Sequence, residues 1–275
     1  MSTASSGASA DVPVSVVIPC FQAHATLPRA VESVAQQSAR ARELIVVDDA
    51  SSEDTGAVLR DLQRRHGEDW LRIVRLDRNQ GPASARNAGW EAARGECVAF
   101  LDADDSWHPR KLEIQHRVMR EHPDIALSAH RHAFGAAADL PPQSAPPQLT
   151  EISARALLWS NRFVTPSVMV RRAIATRFRP ERRHMEDHLL WMQLAYAGHR
   201  IVAIELALAT LHKPAFGASG QSAQLVAMQR AELDNYRLLR REGLIGAPGC
   251  ALLSLWSGAK FLRRLTIVAG RRLSG

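Results

Sequence analysis

Residues Val98 to Pro109 read VAFLDADDSWHP and place three carboxylates, Asp102, Asp104 and Asp105, within four positions directly behind an apolar run. Like charges about 4 Å apart repel by several kcal/mol at intermediate dielectric, so acids this crowded call for a cation or a set of hydrogen-bond donors. A hard divalent ion such as Mg²⁺ or Mn²⁺, commonly held by one or two carboxylates together with substrate phosphates, meets that need at Asp102 and Asp104. Asp105 has a simpler reading as the cap of a helix opening near His108-Pro109. A second acidic stretch, Asp48-Asp49-Ala50-Ser51-Ser52-Glu53-Asp54, divides the same way. Its serines, followed by Glu53 and Asp54, make a good helix start, whereas Asp48 closes the run IVVD and is placed to accept hydrogen bonds from a ribose hydroxyl or a base imino group.

These acids need strands to end beneath them, and the chain supplies the pattern. VSVVIP, ELIVVD, LRIVRL and CVAFLD are short apolar runs, each followed by a segment of helical periodicity: HATLPRAVESVAQQ, SEDTGAVLRDLQRRH, PASARNAGWEAAR and HPRKLEIQHRVMREH. Alternation of this kind predicts βαβ units and an α/β fold with a mostly parallel, Rossmann-like sheet flanked by helices. In such a sheet, ligands collect beyond the carboxyl ends of the strands. After IALSAHRHAF, the proline-rich GAAADLPPQSAPPQLT interrupts the regularity. A less regular part follows, with helices near SARALLWSN and EDHLLWMQLAYAG and strands near SVMVRR and IVAIELALATLH, before two closing helices. The expected organisation is a disordered tail over 1–12, a catalytic domain over 13–217 (a nucleotide-binding half, 13–134, and an acceptor-binding half, 135–217), and a C-terminal helical extension over 218–275.

Four stretches, in order, carry a family resemblance: VSVVIPCFQAHATLPRAVESVAQQS, ELIVVDDASSEDT, NQGPASARNAGWEAARGECVAFLDADD and MEDHLLWMQLAYAG. Together they resemble the successive signatures of glycosyltransferase family 2, the inverting sugar-nucleotide transferases of GT-A fold, over roughly residues 14 to 215. The resemblance implies a donor site in which Pro19, Phe21 and Asp48 hold the nucleoside and Asn79, Gly81 and Arg86 complete the wall. It makes Asp102-Ala103-Asp104 the D-x-D element, with Asp102 on ribose or metal and Asp104 on a Mn²⁺ or Mg²⁺ ion bridging the donor diphosphate. It also places Asp187 as the catalytic base, Glu186 beside it at the acceptor, and His212 as a further metal or phosphate contact. Each residue has a plainer reading: Arg86 as a surface charge, Glu186 and Asp187 as acids favoured at a helix N-terminus, and His212 as a structural histidine. Two departures bear on the reading. Ala50 replaces the usual glycine after the two acids, which an ordinary turn tolerates, and no Trp follows an Arg, so the Q-x-x-R-W element of processive synthases is missing. Single-sugar addition to a glycan or lipid-linked acceptor is the expected outcome, with uridine as the default base by family analogy.

Composition narrows the alternatives. Lys plus Arg number 35 against 28 Asp plus Glu, a formal charge of +7 that favours anionic partners. The basic residues are dispersed or C-terminal, without the aromatic-basic platform of a nucleic-acid binder. A sugar-1-phosphate nucleotidyltransferase would need a glycine-rich basic loop where PCFQAHATLP stands, and a silent nucleotide- or glycan-binding module remains as an alternative without turnover. Cys20, Cys97 and Cys250 have no metal-ligand spacing and read as free thiols in a reducing compartment. No stretch approaches the roughly 20 apolar residues needed to span a bilayer. A cytoplasmic protein is expected. The last helix, with Leu252, Leu255, Trp256, Ala259, Leu262 and Leu265 on one face and Lys260, Arg263, Arg264, Arg271 and Arg272 nearby, also suits peripheral attachment to an anionic inner membrane face.

Overall fold

A computed structural model describes residues 11–136, 146–213 and 224–273. The chain begins with β1 (Val12–Cys20), α1 (Leu27–Ala35), β2 (Ala41–Asp48), α2 (Glu53–His66), β3 (Leu71–Arg75), α3 (Pro82–Ala92) and β4 (Cys97–Phe100), the alternation expected from sequence. It continues through the two-residue β5 (Ser106–Trp107), α4 (Lys111–Glu121), β6 (Ile125–Phe134), β7 (Leu149–Glu151) and α5 (Ala154–Trp159). A 3-10 turn at Thr165–Ser167 leads into β8 (Met169–Arg171), followed by α6 (Glu186–Tyr196), β9 (Arg200–Leu211), α7 (Leu225–Arg241) and α8 (Ala247–Leu273). Strand pairing starts at Val12, opposite Ala41, so the expected tail gives way to the sheet by that residue, and residues 1–10 lie outside the described ones. The expected boundaries at 135 and at 217/218 come against or within segments outside the described residues.

One sheet runs in the order β3-β2-β1-β4-β8-β6-β9-β5, with β7 on the side of β9. Its first four strands are parallel throughout. Beyond them the sheet is mixed: β8 is antiparallel to both β4 and β6, β9 is parallel to β6, and β5 and β7 are antiparallel to β9. Thus the parallel sheet that the sequence implies belongs to the first half.

Side chains alternate across a strand, and β1 shows the consequence. Val14, Val16 and Ile18 enter one apolar cluster with Leu27, Ala30, Val31 and Val34 of α1, while Val17 enters the opposite cluster with Val47, Trp90 and Phe100. Both faces are covered, as the continuous hydrophobic runs require. Helix α3 lies close against the sheet because residue 89 is glycine. A Cβ there would stand 2.3 Å from Val17 Cγ1, so any larger residue would push the helix away. The three cysteines are buried and free.

Ala50 differs from expectation. Its φ is +59°, in the left-handed region, where Cβ crowds the following carbonyl at about 1–2 kcal/mol. The turn after Asp49 is therefore not ordinary, which explains why glycine suits the position. Ala50→Gly should raise unfolding stability by about 0.5–1 kcal/mol after the larger chain entropy of glycine is subtracted, measurable as a higher denaturant midpoint at unchanged slope.

Candidate active site

The carboxyl ends of β1 and β4, the loop before α3 and the head of α6 enclose a cleft of about 700 Å³. Pro19 and Phe21 follow β1 into it, Asn79 and Gly81 precede α3, and Asp102, Ala103 and Asp104 follow β4. Glu186 and Asp187 arrive from the head of α6. The sequence-predicted residues thus converge, with two exceptions, Asp48 and His212.

Asp48 turns away from the cleft. It is buried, accepts the Ser51 N–H at 2.9 Å and faces Arg75 Nε at 3.4 Å. Its neighbour Asp49 lines the cleft instead and accepts the N–H groups of Gln80 and Gly81, each at 2.7 Å, on its two oxygens. Gly81 has φ +86° at the N-terminus of α3, directly before Pro82. Asp49 therefore fixes the loop carrying Asn79, whose side-chain oxygen accepts from Arg183 Nη1 at 3.1 Å.

Arg86 is not a surface charge. Its guanidinium is buried, with Nη2 donating to Asp102 Oδ1 at 2.9 Å and Nη1 donating to Glu186 Oε1 at 2.8 Å. It bridges the D-x-D element to the head of α6. Glu186 was expected to face an acceptor, but its carboxylate is 5% exposed and committed to Arg86. Burial pushes the carboxyls of Asp102 and Glu186 upward, and the Arg86 cation opposes the rise at both.

Asp187 occupies the cleft wall. Its Oδ2 accepts from Asn161 Nδ2 and Thr165 Oγ1, both at 3.3 Å, and its Oδ1 accepts the His188 N–H at 2.6 Å. Burial raises its pKa above the ordinary aspartate value despite the opposing Arg86 charge, the direction that makes a carboxylate a better base.

On the opposite side, Asp104 Oδ2 contacts Lys213 Nζ at 2.7 Å, and the Asp104 carbonyl accepts from Arg29 Nη2 at 2.5 Å. Lys213 thus places a positive charge against Asp104. His212 directs Nε2 toward Ser106 Oγ at 2.8 Å, and its N–H donates to Asp105 Oδ1 at 3.3 Å. Asp105 is therefore not the helix cap expected from sequence: α4 starts six residues later, at Lys111, with Arg110 at the capping position.

No group of three or more His, Cys, Asp or Glu side chains forms a cation cage among the described residues. Two carboxylates, Asp102 and Asp104, face a cleft large enough for a phosphate ligand. They fit the donor set of a cation that completes its coordination from substrate phosphates and water.

Several contributors escaped sequence reading. Asp49, next to Asp48 at the same strand end, has no role of its own in the sequence reading. Arg29 and Arg183 had no motif, and Asn161 and Thr165 lie in an irregular stretch. Lys213 had one signal, adjacency to His212.

Asp105 offers a direct test of the crowded charge. Burial, reinforced by Asp102 and Asp104, pushes its pKa up to about 8. The folded state then holds this proton more tightly than the unfolded chain, so the contribution of Asp105 to stability is full below about pH 4 and declines as pH rises through about 8. Asp105→Asn keeps an oxygen for the His212 N–H and cannot ionise. In chelator it should be more stable than wild type by about 1 kcal/mol or more at pH 8, with little difference at pH 4, as followed by denaturant unfolding across pH.

With this geometry, comparison with known proteins is informative. The model of Glycosyl transferase family 2 matches residues 15–178. TuaG of Bacillus subtilis, named as a candidate teichuronic acid biosynthesis glycosyltransferase, is 40% identical over 108 residues, covering 39% of this chain and 42% of that protein. The succinoglycan biosynthesis protein ExoO of Rhizobium meliloti is 39% identical over 113 residues, 41% of this chain and 30% of that protein. The matched stretches thus span less than half of either relative. Among solved structures, residues 1–349 of S. aureus TarS in complex with UDP-GlcNAc superpose with a TM-score of 0.66 at 22% identity, covering 91% of this chain and 72% of that one. The mannosyltransferase PcManGT from Pyrobaculum calidifontis, in complex with GDP-Man and Mn²⁺, gives 0.64 at 18% identity over 94% and 75%. At these identities the likeness concerns the fold, and the GT-A arrangement agrees. Since the family match spans more than half of its length and takes in both the D-x-D strand end and the arginine beneath it, the chain belongs to glycosyl transferase family 2.

Proposed function

We propose that the protein is an inverting glycosyltransferase that moves one sugar from a nucleoside diphosphate sugar to the hydroxyl of a glycan or lipid-linked acceptor in polysaccharide or glycoconjugate synthesis, with Mn²⁺ or Mg²⁺ at the diphosphate. The observation that carries this reading is that a single cleft holds Asp104 on one wall and Asp187 on another, with Arg86 tying their supports together.

The donor nucleoside lies against Pro19, Phe21, Asn79 and Gly81, and the acid beside it is Asp49 rather than Asp48, because Asp49 is the one that lines the cleft. Uridine is the default base; the UDP-GlcNAc bound by TarS is consistent with it. Asp102 and Asp104 would hold the cation, which would supply positive charge against the diphosphate leaving group. Lys213, paired with Asp104 at the cleft wall, is the cation that would turn to a donor phosphate. Asp187 removes the acceptor hydroxyl proton as that oxygen attacks the anomeric carbon in line with the leaving group. Its neighbours Asn161 and Thr165 hold Oδ2 of the carboxylate in place at the cleft wall. Arg86 and Glu186 act beneath the reacting groups as supports, without touching the sugar. His212, bonded to Ser106, contributes to holding Lys213 in place rather than to the cation.

Helix α8 supports attachment to an anionic membrane face. No helix among the described residues is long and apolar enough to cross a membrane. Leu252, Leu255, Leu262, Leu265 and Trp256 are exposed, the apolar face that an interfacial helix requires. Lys260 is unavailable to lipid, being turned inward to Glu232 at 2.5 Å, and the side chains of Arg271 and Arg272 lie outside the described ones.

Asp187→Asn should retain donor affinity while transfer falls by about 10²- to 10⁴-fold, read from initial rates beside calorimetric titration of the donor; a rate near wild type removes Asp187 as base. The rate of the unmodified protein should show an acid limb displaced above the ordinary aspartate range, because the base must be ionised and its pKa is raised. Asp104→Ala should lose the additional thermal stabilisation that Mn²⁺ gives with nucleotide sugar; equal stabilisation in the variant and wild type removes Asp104 from cation binding.

A further inference from the structure

The two C-terminal helices grip the surroundings of Asp187 from two directions. Met185, two residues before it, has a left-handed φ of 55°. A side chain other than glycine keeps that conformation only where its surroundings impose it. The Met185 carbonyl accepts the Leu189 N–H at 3.1 Å, closing the first turn of α6, and also accepts Asn235 Nδ2 of α7 at 2.9 Å. Asn235 is fully buried, and its Oδ1 accepts from Arg182 Nη1 at 2.6 Å. An arginine only donates and a carbonyl only accepts, so a single orientation of the amide satisfies both partners.

The second grip is on α5. Tyr236, next to Asn235, donates its hydroxyl to the Leu158 carbonyl at 2.9 Å, while Trp256 Nε1 and Lys260 Nζ of α8 donate to the Trp159 carbonyl at 3.1 and 3.2 Å. Two residues onward stands Asn161, which donates to Asp187. Glu232, one turn before Asn235, locks the two helices together by accepting from Lys260 and Ser257 of α8. Hydrogen bonds therefore lead from one brace to the backbone before Asp187 and to the segment that supplies its side-chain partner.

We propose that Asn235 is a positioning residue for Asp187, setting the first turn of α6 through the Met185 carbonyl, and that the α7–α8 pair is thereby part of the reacting unit. Both helices lie beyond residues 15–178, the family-matched segment. The inference rests on the reading of Asp187 as the base.

Asn235→Asp tests it in the full chain, since aspartate still accepts from Arg182 but has no donor for Met185. With saturating donor and Mn²⁺, kcat should fall by roughly 10- to 100-fold, donor affinity should stay within about twofold, and exchange of the Leu189 amide should accelerate by about tenfold. A purely structural role would instead lower thermal stability and leave kcat per folded molecule intact. On an Asp187→Asn background the substitution should cause no further loss of rate, because it acts through that carboxylate. Tyr236→Phe removes only the hydroxyl at the second grip and serves where the aspartate variant folds poorly; its kcat should fall by about threefold or more at unchanged donor affinity. A wild-type kcat, a loss confined to donor affinity, unchanged Leu189 exchange, or full additivity with Asp187→Asn overturns the proposal. The base reading is judged separately, by Asp187→Asn alone.

Discussion

A buried guanidinium between two carboxylates is the constraint on which the cleft depends. Arg86 is 5% exposed and faces Asp102 on one side and Glu186 on the other. Arg86 and Glu186 are held out of water, while the Asp102 side chain is 31% exposed to the cleft, and a charge buried in this way is costly individually. Removing one from such a group strands the others, with losses on the order of 3–5 kcal/mol. The triad therefore has few alternative geometries. Its position is set by α3, which approaches the sheet closely enough to deliver the guanidinium only because Gly89 lacks a Cβ. Phe178 closes the other side, its ring centroid 5.5 Å from the guanidinium carbon. One backbone requirement thus fixes the separation between the end of β4 and the head of α6.

That separation leaves an excess of acid on the cleft walls. Asp102, Asp104, Asp105, Glu186 and Asp187 gather there against Arg86 and Lys213, and burial raises the carboxyls of Asp102, Asp105, Glu186 and Asp187. Lys213 and His212, just beyond β9, reach Asp104 and Asp105 respectively. An excess of this kind is relieved by a cation from solvent or from substrate. Under the proposed function, the same negative field that unsettles Asp105 in isolation would favour a divalent ion and, with it, a diphosphate. The charge arrangement and the proposed chemistry thus have one origin.

The first half of the fold was legible because its strands are continuous apolar runs separated by helices of plain amphipathic period, and α1 buries Leu27, Ala30, Val31 and Val34 as spaced. The mixed pairing around β8 was not legible: three residues carry no sign of their direction. Within the site, residue types were readable where a motif clustered them, but orientation was not. Asp48 and Asp49 are equal as letters, yet adjacent positions at a strand end point to opposite sides, so one carboxylate is held inside by Ser51 and the other lines the cleft. Glu186 and Asp187 separate similarly on a helix, one toward Arg86 and one toward the cleft wall. Asn161, Thr165 and Asn235 act through tertiary contacts across 26, 22 and 50 residues, and no local pattern encodes those.

Backbone strain follows the same map. Among the described residues, Gln22, Ala50 and Met185 are the non-glycine positions with positive φ. Gln22 and Met185 line the cleft, and Ala50 directly follows Asp49, which lines it too. Each conformation costs about 1–2 kcal/mol and is held by bonds to another element. Gln22 donates its N–H to Ser51 Oγ and accepts the Ser52 hydroxyl on its side chain, which joins the β1 and β2 ends across the Ala50 turn. Met185 is held by α7. Removing the tertiary partner would allow each segment to relax toward ordinary angles and would turn the neighbouring functional side chain with it. The strained residues therefore mark where the fold sacrifices local preference to aim a side chain, and at α6 that aim depends on helices that come last in the chain.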